Sequence, residues 1–88
     1  MINKQLTVTN ELGLHARVAS RIVRELKKFE SSVLVHKQGK IFDLKSVTGI
    51  ITVNAKFGDI LDVEFSGSDE AEAAEKVERL FADKFGER

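Results

Sequence analysis

Ile60 to Phe65 is the cleanest strand pattern in the chain: Leu61, Val63 and Phe65 fall on one side, Asp62 and Glu64 on the other. A strand with this pattern has one apolar and one wet face, and the apolar face must be covered. Ile2 to Val8 repeats it. Ile2, Leu6 and Val8 share one parity, Asn3, Gln5 and Thr7 the other, and Lys4 is the one break. Ser32 to His36 sets Val33 and Val35 to one side, and Ile41 to Leu44 does the same with Phe42 and Leu44. Between these two strands, Lys37-Gln38-Gly39-Lys40 reads as a hairpin turn, with Gly39 supplying the left-handed backbone.

Elsewhere the period lengthens. From about Ala16 to Phe29, Ala19, Ile22, Val23 and Leu26 make an apolar stripe at helical spacing. Arg17, Arg21, Arg24 and Lys28 make a basic stripe on the opposite face, ordinarily a solvated surface. Ser31-Ser32 ends this helix. A last helix is capped by Ser68 or Asp69, and Asp69 with Glu72 has capping-box spacing. Its buried face is Ala73, Ala74, Val77, Leu80, Phe81 and Phe85. Lys84 suits the dipole near its end, and Gly86 stops it. Phe57-Gly58-Asp59 is a turn, and the six phenylalanines are assigned to the core. Lys45 to Val53 reads two ways. Its β-branched residues favour a strand, while Ser46 is a good N-cap and Val47, Ile50 and Ile51 share a helical face.

The order is strand, helix, strand, strand, an undecided segment, strand, helix. It predicts an α+β fold with an antiparallel sheet and the helices on one side. The 88 residues suffice for a single domain, 1–88. A domain this small buries only about 60–65% of its unfolded surface, so a deep cleft is not expected. A functional site should lie on the surface and be completed by a partner. Lysine plus arginine and aspartate plus glutamate both total 14, a balance that does not point to nucleic acid. There is no cysteine for a disulfide or thiolate metal site, and two histidines without clustered carboxylates make no metal site. His36 lies opposite Val33 and Val35 and is read as an exposed strand residue. MINKQLTVTN lacks the apolar run of a signal peptide, and no stretch is long enough to span a bilayer, so a soluble cytoplasmic protein is expected.

The chemistry concentrates in Gly13-Leu14-His15-Ala16-Arg17-Val18-Ala19-Ser20. Gly13 frees the backbone for a tight turn. His15 then stands at a helix start, where amides lack intrahelical partners and the dipole favours an anion. Arg17 adds a planar, permanently charged fork suited to phosphate. Imidazole is largely neutral and nucleophilic near pH 7, since its unperturbed pKa is about 6.5. A histidine at a helix start is also common as a plain surface residue.

These residues resemble the HPr family, the histidine-containing phosphocarriers of the bacterial phosphoenolpyruvate:sugar phosphotransferase system. Gly13-Leu14-His15-Ala16-Arg17 matches the family's active-site signature. Leu44-Lys45-Ser46-Val47-Thr48-Gly49-Ile50, with Ser46 lying 31 residues after His15, resembles its regulatory serine segment. The likeness runs from about Ile2 to Phe85. It implies a βαββαβα open-faced sandwich, a four-stranded antiparallel sheet with three helices on one face, and it makes Lys45 to Val53 a short helix. It implies that His15 accepts a phosphoryl group on Nδ1 from phosphorylated enzyme I and passes it to an enzyme IIA domain, without a cofactor. Arg17 would bind the phosphate, and Ser46 would be the target of HPr kinase/phosphorylase. Leu14, Ala16, Ser20, Val47, Thr48 and Ile51 would lie on or near the partner surface. The chain would be a carrier and not a stand-alone catalyst, monomeric and not inserted in a membrane. Val18 stands where the family often has proline, and Thr48 where a larger apolar residue is common. The motifs also suit a regulator of the nitrogen branch, or one whose working form is phosphorylated on Ser46.

Overall fold

The computed structural model describes residues 1–87. The elements run β1 (Ile2–Thr7), α1 (Ala16–Leu26), β2 (Ser32–Lys37), β3 (Lys40–Asp43), α2 (Val47–Val53), β4 (Ile60–Ser66) and α3 (Glu70–Ala82), followed by a short 3-10 turn, Lys84–Gly86. The strands form one antiparallel sheet in the order β1-β4-β2-β3. The strand with the cleanest alternation, β4, is therefore central, and its Leu61, Val63 and Phe65 are all buried. Register sets Ile2 opposite Phe65, Lys4 opposite Val63 and Leu6 opposite Leu61. Lys4 thus does share the apolar parity. It is tolerated at the sheet edge because its ammonium reaches Glu78 of α3 at 3.6 Å.

Leu6, Val8, Val33 and Val35 meet Ile22, Leu26, Ile50, Val77 and Phe81 in one continuous core. Removing this apolar area from water is the main drive to the fold. In α1 the buried stripe is Val18, Ala19, Ile22 and Leu26, and Val23 is only half-buried. The helix stops at Leu26, three residues short of the expected end. Phe29 and Ser31 then turn their carbonyls to the Lys45 ammonium, at 2.7 and 3.1 Å, which satisfies two carbonyls of the turn that follows the helix.

The undecided segment is helical. Ser46 is the N-cap of α2, its Oγ accepting from the Gly49 amide at 3.1 Å, and Asn54 closes the helix in the left-handed region. Ile50 and Val53 face the core, Val47 is half-buried and Ile51 is exposed. Both ends are capped and one face is buried, and together these override β propensity. In the hairpin, Gln38 as well as Gly39 has positive φ, as a two-residue turn between right-twisted strands requires.

Three details of the C-terminal half differ from the sequence reading. Asp69 is the N-cap of α3, but its carboxylate makes no cap bond; it accepts from the amides of Glu30 and Ser31 and from the Ser31 hydroxyl. The expected Asp69–Glu72 box is replaced by the Glu70 carboxylate accepting from the Gly67 amide at 3.1 Å. Asp69 is better used tying the α1–β2 turn to α3, and those donors hold its carboxyl below the usual range. The helix ends at Ala82 and not at Gly86. Lys84 and Phe85 both take left-handed backbone, which takes Lys84 off the helix end and turns Phe85 back into the core. Finally, Phe65, Phe81 and Phe85 are buried and Phe29 and Phe42 half-buried, but Phe57 is exposed, because it sits at the tip of the turn closed by the Asp59 amide on the Lys56 carbonyl.

Candidate functional site

The loop from Thr9 to Leu14 is pinned by its backbone. The Gly13 amide donates to the Asn10 carbonyl at 3.2 Å, and the Asn10 side-chain amide returns to the Gly13 carbonyl at 2.7 Å. The Leu14 amide donates to the Ala55 carbonyl at 3.0 Å, docking the loop on the chain after α2. Gly13 has φ +69, and a Cβ there would lie 2.5 Å from the Ala55 carbonyl oxygen, so the approach needs glycine. His15 follows as the N-cap of α1. Its backbone is extended and its side chain makes no cap bond, so the ring is free for other work. The imidazole is 28% exposed.

The partner of that ring was not visible in the sequence. Glu87, in the chain after α3, places both carboxylate oxygens 2.9 Å from His15 Nε2. Arg17 donates to the same carboxylate from its Nε at 3.1 Å and from a terminal nitrogen at 2.8 Å, and Asn10 donates from its side-chain amide at 3.2 Å. The hydrogen bond from His15, then those from Arg17 and Asn10, hold the Glu87 carboxyl down at about 2. A carboxyl lowered on folding stabilises the folded state fully above its unfolded value. That contribution is lost as pH falls from about 4.5 through about 2. Arg21 donates to the Phe85 carbonyl at 2.7 Å and so anchors the segment that carries Glu87. The basic stripe of α1 is thus divided: Arg17 and Arg21 hold the C-terminal segment, while Arg24 and Lys28 face solvent.

The residues singled out from sequence fall in three places. Arg17 and Ser20 line an open groove with Arg21, Arg24 and Glu87. His15, Leu14, Ala16 and Ile51 border a second recess with Phe57, and Leu12 lines both. Val47 and Thr48 line neither. Ala16, Ser20 and Thr48 are exposed, while Leu14 is only 4% exposed and serves as a core anchor beneath the histidine. Val18 is likewise buried, at 1% exposure, and packs into the core. Leu12 at 71%, Phe57 at 65% and Ile51 at 46% exposure add apolar surface beside His15. Leu12 stands three residues before the histidine, and an apolar residue in a loop was the available signal. His36 is not simply exposed, since its Nε2 lies 3.2 Å from Glu64 on the outer face of the sheet.

A histidine ring and a guanidinium thus converge on one carboxylate at the surface of a small open α+β sandwich, the class of protein to which the fold assigns the chain. The family model for the "PTS HPr component phosphorylation site" matches residues 2–83, and the chain belongs to the HPr family of phosphocarrier proteins. Phosphocarrier protein HPr of Xylella fastidiosa is 36% identical over 87 residues, covering 99% of this chain and 98% of that protein. The crystal structure of an HPr from Thermoanaerobacter tengcongensis superposes with a TM-score of 0.94 at 34% identity, covering 100% of this chain and 99% of that one. A second crystal structure from that organism, described as an HPr dimer, has a TM-score of 0.77 at 34% identity and covers 99% of this chain and 100% of the other. The four antiparallel strands and three helices are the fold of those proteins. Among the described residues no helix is long and apolar enough to cross a membrane.

Proposed function

We propose that His15 is the phosphoryl acceptor, taking the group from phosphorylated enzyme I and passing it to an enzyme IIA domain in sugar uptake. The observation that carries this reading is the joint grip of His15 and Arg17 on the Glu87 carboxylate, an oxyanion site already formed in the folded chain. Phosphoryl transfer asks a carrier chiefly for positioning and charge stabilisation, and both are present at the start of α1. The groove lined by Arg17, Arg21 and Arg24 suits an acidic partner surface, and the apolar recess that His15 borders suits packing. The site is shallow, so the partner supplies its remaining walls and excludes water. On this reading the protein works in the cytoplasm as a monomer, as one domain, and needs no cofactor.

The direct test is incubation with phosphoenolpyruvate and enzyme I, read by intact mass before and after brief acid treatment. One added phosphoryl group that acid removes is expected. Absence of any uptake would overturn the assignment. Arg17→Ala should slow uptake by about a hundredfold, the usual cost of losing one donor to a transferring oxyanion. Its side chain is 78% exposed, so Tm should move by no more than a few degrees. A large fall in Tm would make Arg17 a structural residue.

We also propose Ser46 as a regulatory phosphorylation site. Its Oγ already accepts at the start of α2, where a phosphate would be favoured by the helix dipole. A charge of about −1.5 to −2 there would repel an acidic partner. Ser46→Asp should lower the rate of His15 phosphorylation by about tenfold, more at low salt than at high. An unchanged rate would remove the repulsion argument.

A further inference from the structure

The segment after α3 is built to deliver one carboxylate, and the carrier reading so far gives that carboxylate no part in the transfer itself. Lys84 and Phe85 both hold φ near +55, a region that residues with a Cβ rarely occupy. The turn is kept there from several directions. Phe85 is 2% exposed and sets its ring edge-on to Phe81, with centroids 4.9 Å apart. Arg21 holds the Phe85 carbonyl, and Asn10, which pins the histidine loop, also reaches the Glu87 carboxylate. The result is a side chain only 15% exposed with both oxygens on His15 Nε2.

An ionised carboxylate only accepts hydrogen bonds. Nε2 must therefore be the donor, and in the neutral ring the remaining lone pair lies on Nδ1. We propose that Glu87 is a positioning residue for phosphoryl transfer: it fixes the proton on Nε2, presents the Nδ1 lone pair for attack, and supports the charge that the ring acquires. The proposal rests on His15 being the acceptor.

The step balances without moving a proton at the ring. The Nδ1 lone pair forms the bond to phosphorus, and the bond from phosphorus to the donor's leaving atom breaks with its electron pair going to the donor. His15 then carries phosphorus on Nδ1 and hydrogen on Nε2, so the ring is an imidazolium, and the Glu87 carboxylate faces it. In the onward step the N–P bond breaks with its pair returning to Nδ1, and the ring leaves as neutral imidazole with Nε2–H unchanged. Both carboxylate oxygens are within reach of Nε2, so the hold on the ring survives when Arg17 turns from Oε2 to the arriving phosphoryl group.

The test uses the full chain with 15N-labelled histidine, and a His36→Gln variant assigns the two rings. The wild type should show a directly bonded proton on His15 Nε2, protected enough to be observed, and an unprotonated Nδ1. Glu87→Ala should lose that proton signal to solvent exchange and take up phosphoryl from enzyme I about tenfold more slowly. Glu87→Gln, which keeps an acceptor without the charge, should recover the proton signal but not the rate. A proton on Nδ1 in the wild type, an unchanged Nε2–H signal in Glu87→Ala, or an unchanged rate in that variant would each overturn the role of Glu87 alone. Failure of the wild type to take up phosphoryl at all would overturn the acceptor assignment and this role with it.

Discussion

His15→Ala is expected to fold and to take up no phosphoryl group from phosphoenolpyruvate and enzyme I. The loss should be complete within detection, because an acid-labile phosphoramidate needs the ring nitrogen that the variant lacks. The fold should survive. The side chain of His15 caps nothing, its backbone bonds persist in alanine, and the Ala19 amide still meets the residue 15 carbonyl. Glu87 keeps Arg17 and Asn10 as donors. Tm should therefore fall only slightly while the mass increment disappears. Full labelling of the variant would place the acceptor elsewhere. Acid-stable labelling from ATP and a kinase, with none from enzyme I in the wild type, would move the function to Ser46.

Gly13→Ala should be the most disruptive single change near the site. The residue has φ +69, and an added Cβ would meet the Ala55 carbonyl oxygen at 2.5 Å and the Lys56 Cα at 3.0 Å. Both neighbours are backbone, so no side-chain rotation relieves the contact. The same Ala55 carbonyl accepts from the Leu14 amide, so moving it breaks the bond that docks the loop. Strained backbone and overpacking together cost about 2–4 kcal/mol. In a domain of this size that lowers Tm by roughly 10–25 °C. Phosphoryl uptake should fall by about a hundredfold even well below Tm, since a displacement of about 1 Å is enough to spoil alignment. A thermal melt and a rate at low temperature separate the two effects. A Tm within a few degrees of the wild type would show that the loop yields freely and that Gly13 does not fix the histidine.

What could be read from the sequence was what is local and periodic. The alternation in Ile60 to Phe65 and the stripe through Ile22 and Leu26 record a two-sided environment, and the structure buries the expected sides. His15 and Arg17 stand two residues apart, so their proximity was legible, and likeness to a known family supplied their meaning. Lys45 to Val53 was not decidable by pattern, since its β-branched residues and its Ser46 cap point in opposite directions. Burial of Ile50 and Val53 settled it. Asp69 has the spacing of a cap, but its best donors are the distant amides of Glu30 and Ser31. Phe57 was assigned to the core by residue type and is exposed because its turn points outward. Glu87 gave no signal: the contact with His15 spans 72 residues, and one glutamate near the chain's end has no period to betray it.

The position of β4 between β1 and β2 also governs when the protein comes into being. Ile2 pairs with Phe65, and Val33 pairs with Phe65 from the other side, so β1 has no sheet neighbour and β2 has only β3 until residue 66 is in place. Long loops must close before these pairings reward the chain, which slows assembly and makes it all-or-none. The histidine loop shares this schedule through the Leu14–Ala55 bond, and Glu87 arrives later still. On the proposed reading, a nascent or locally unfolded chain offers a free histidine but no assembled acceptor, and the ability to carry phosphoryl comes only with the finished fold.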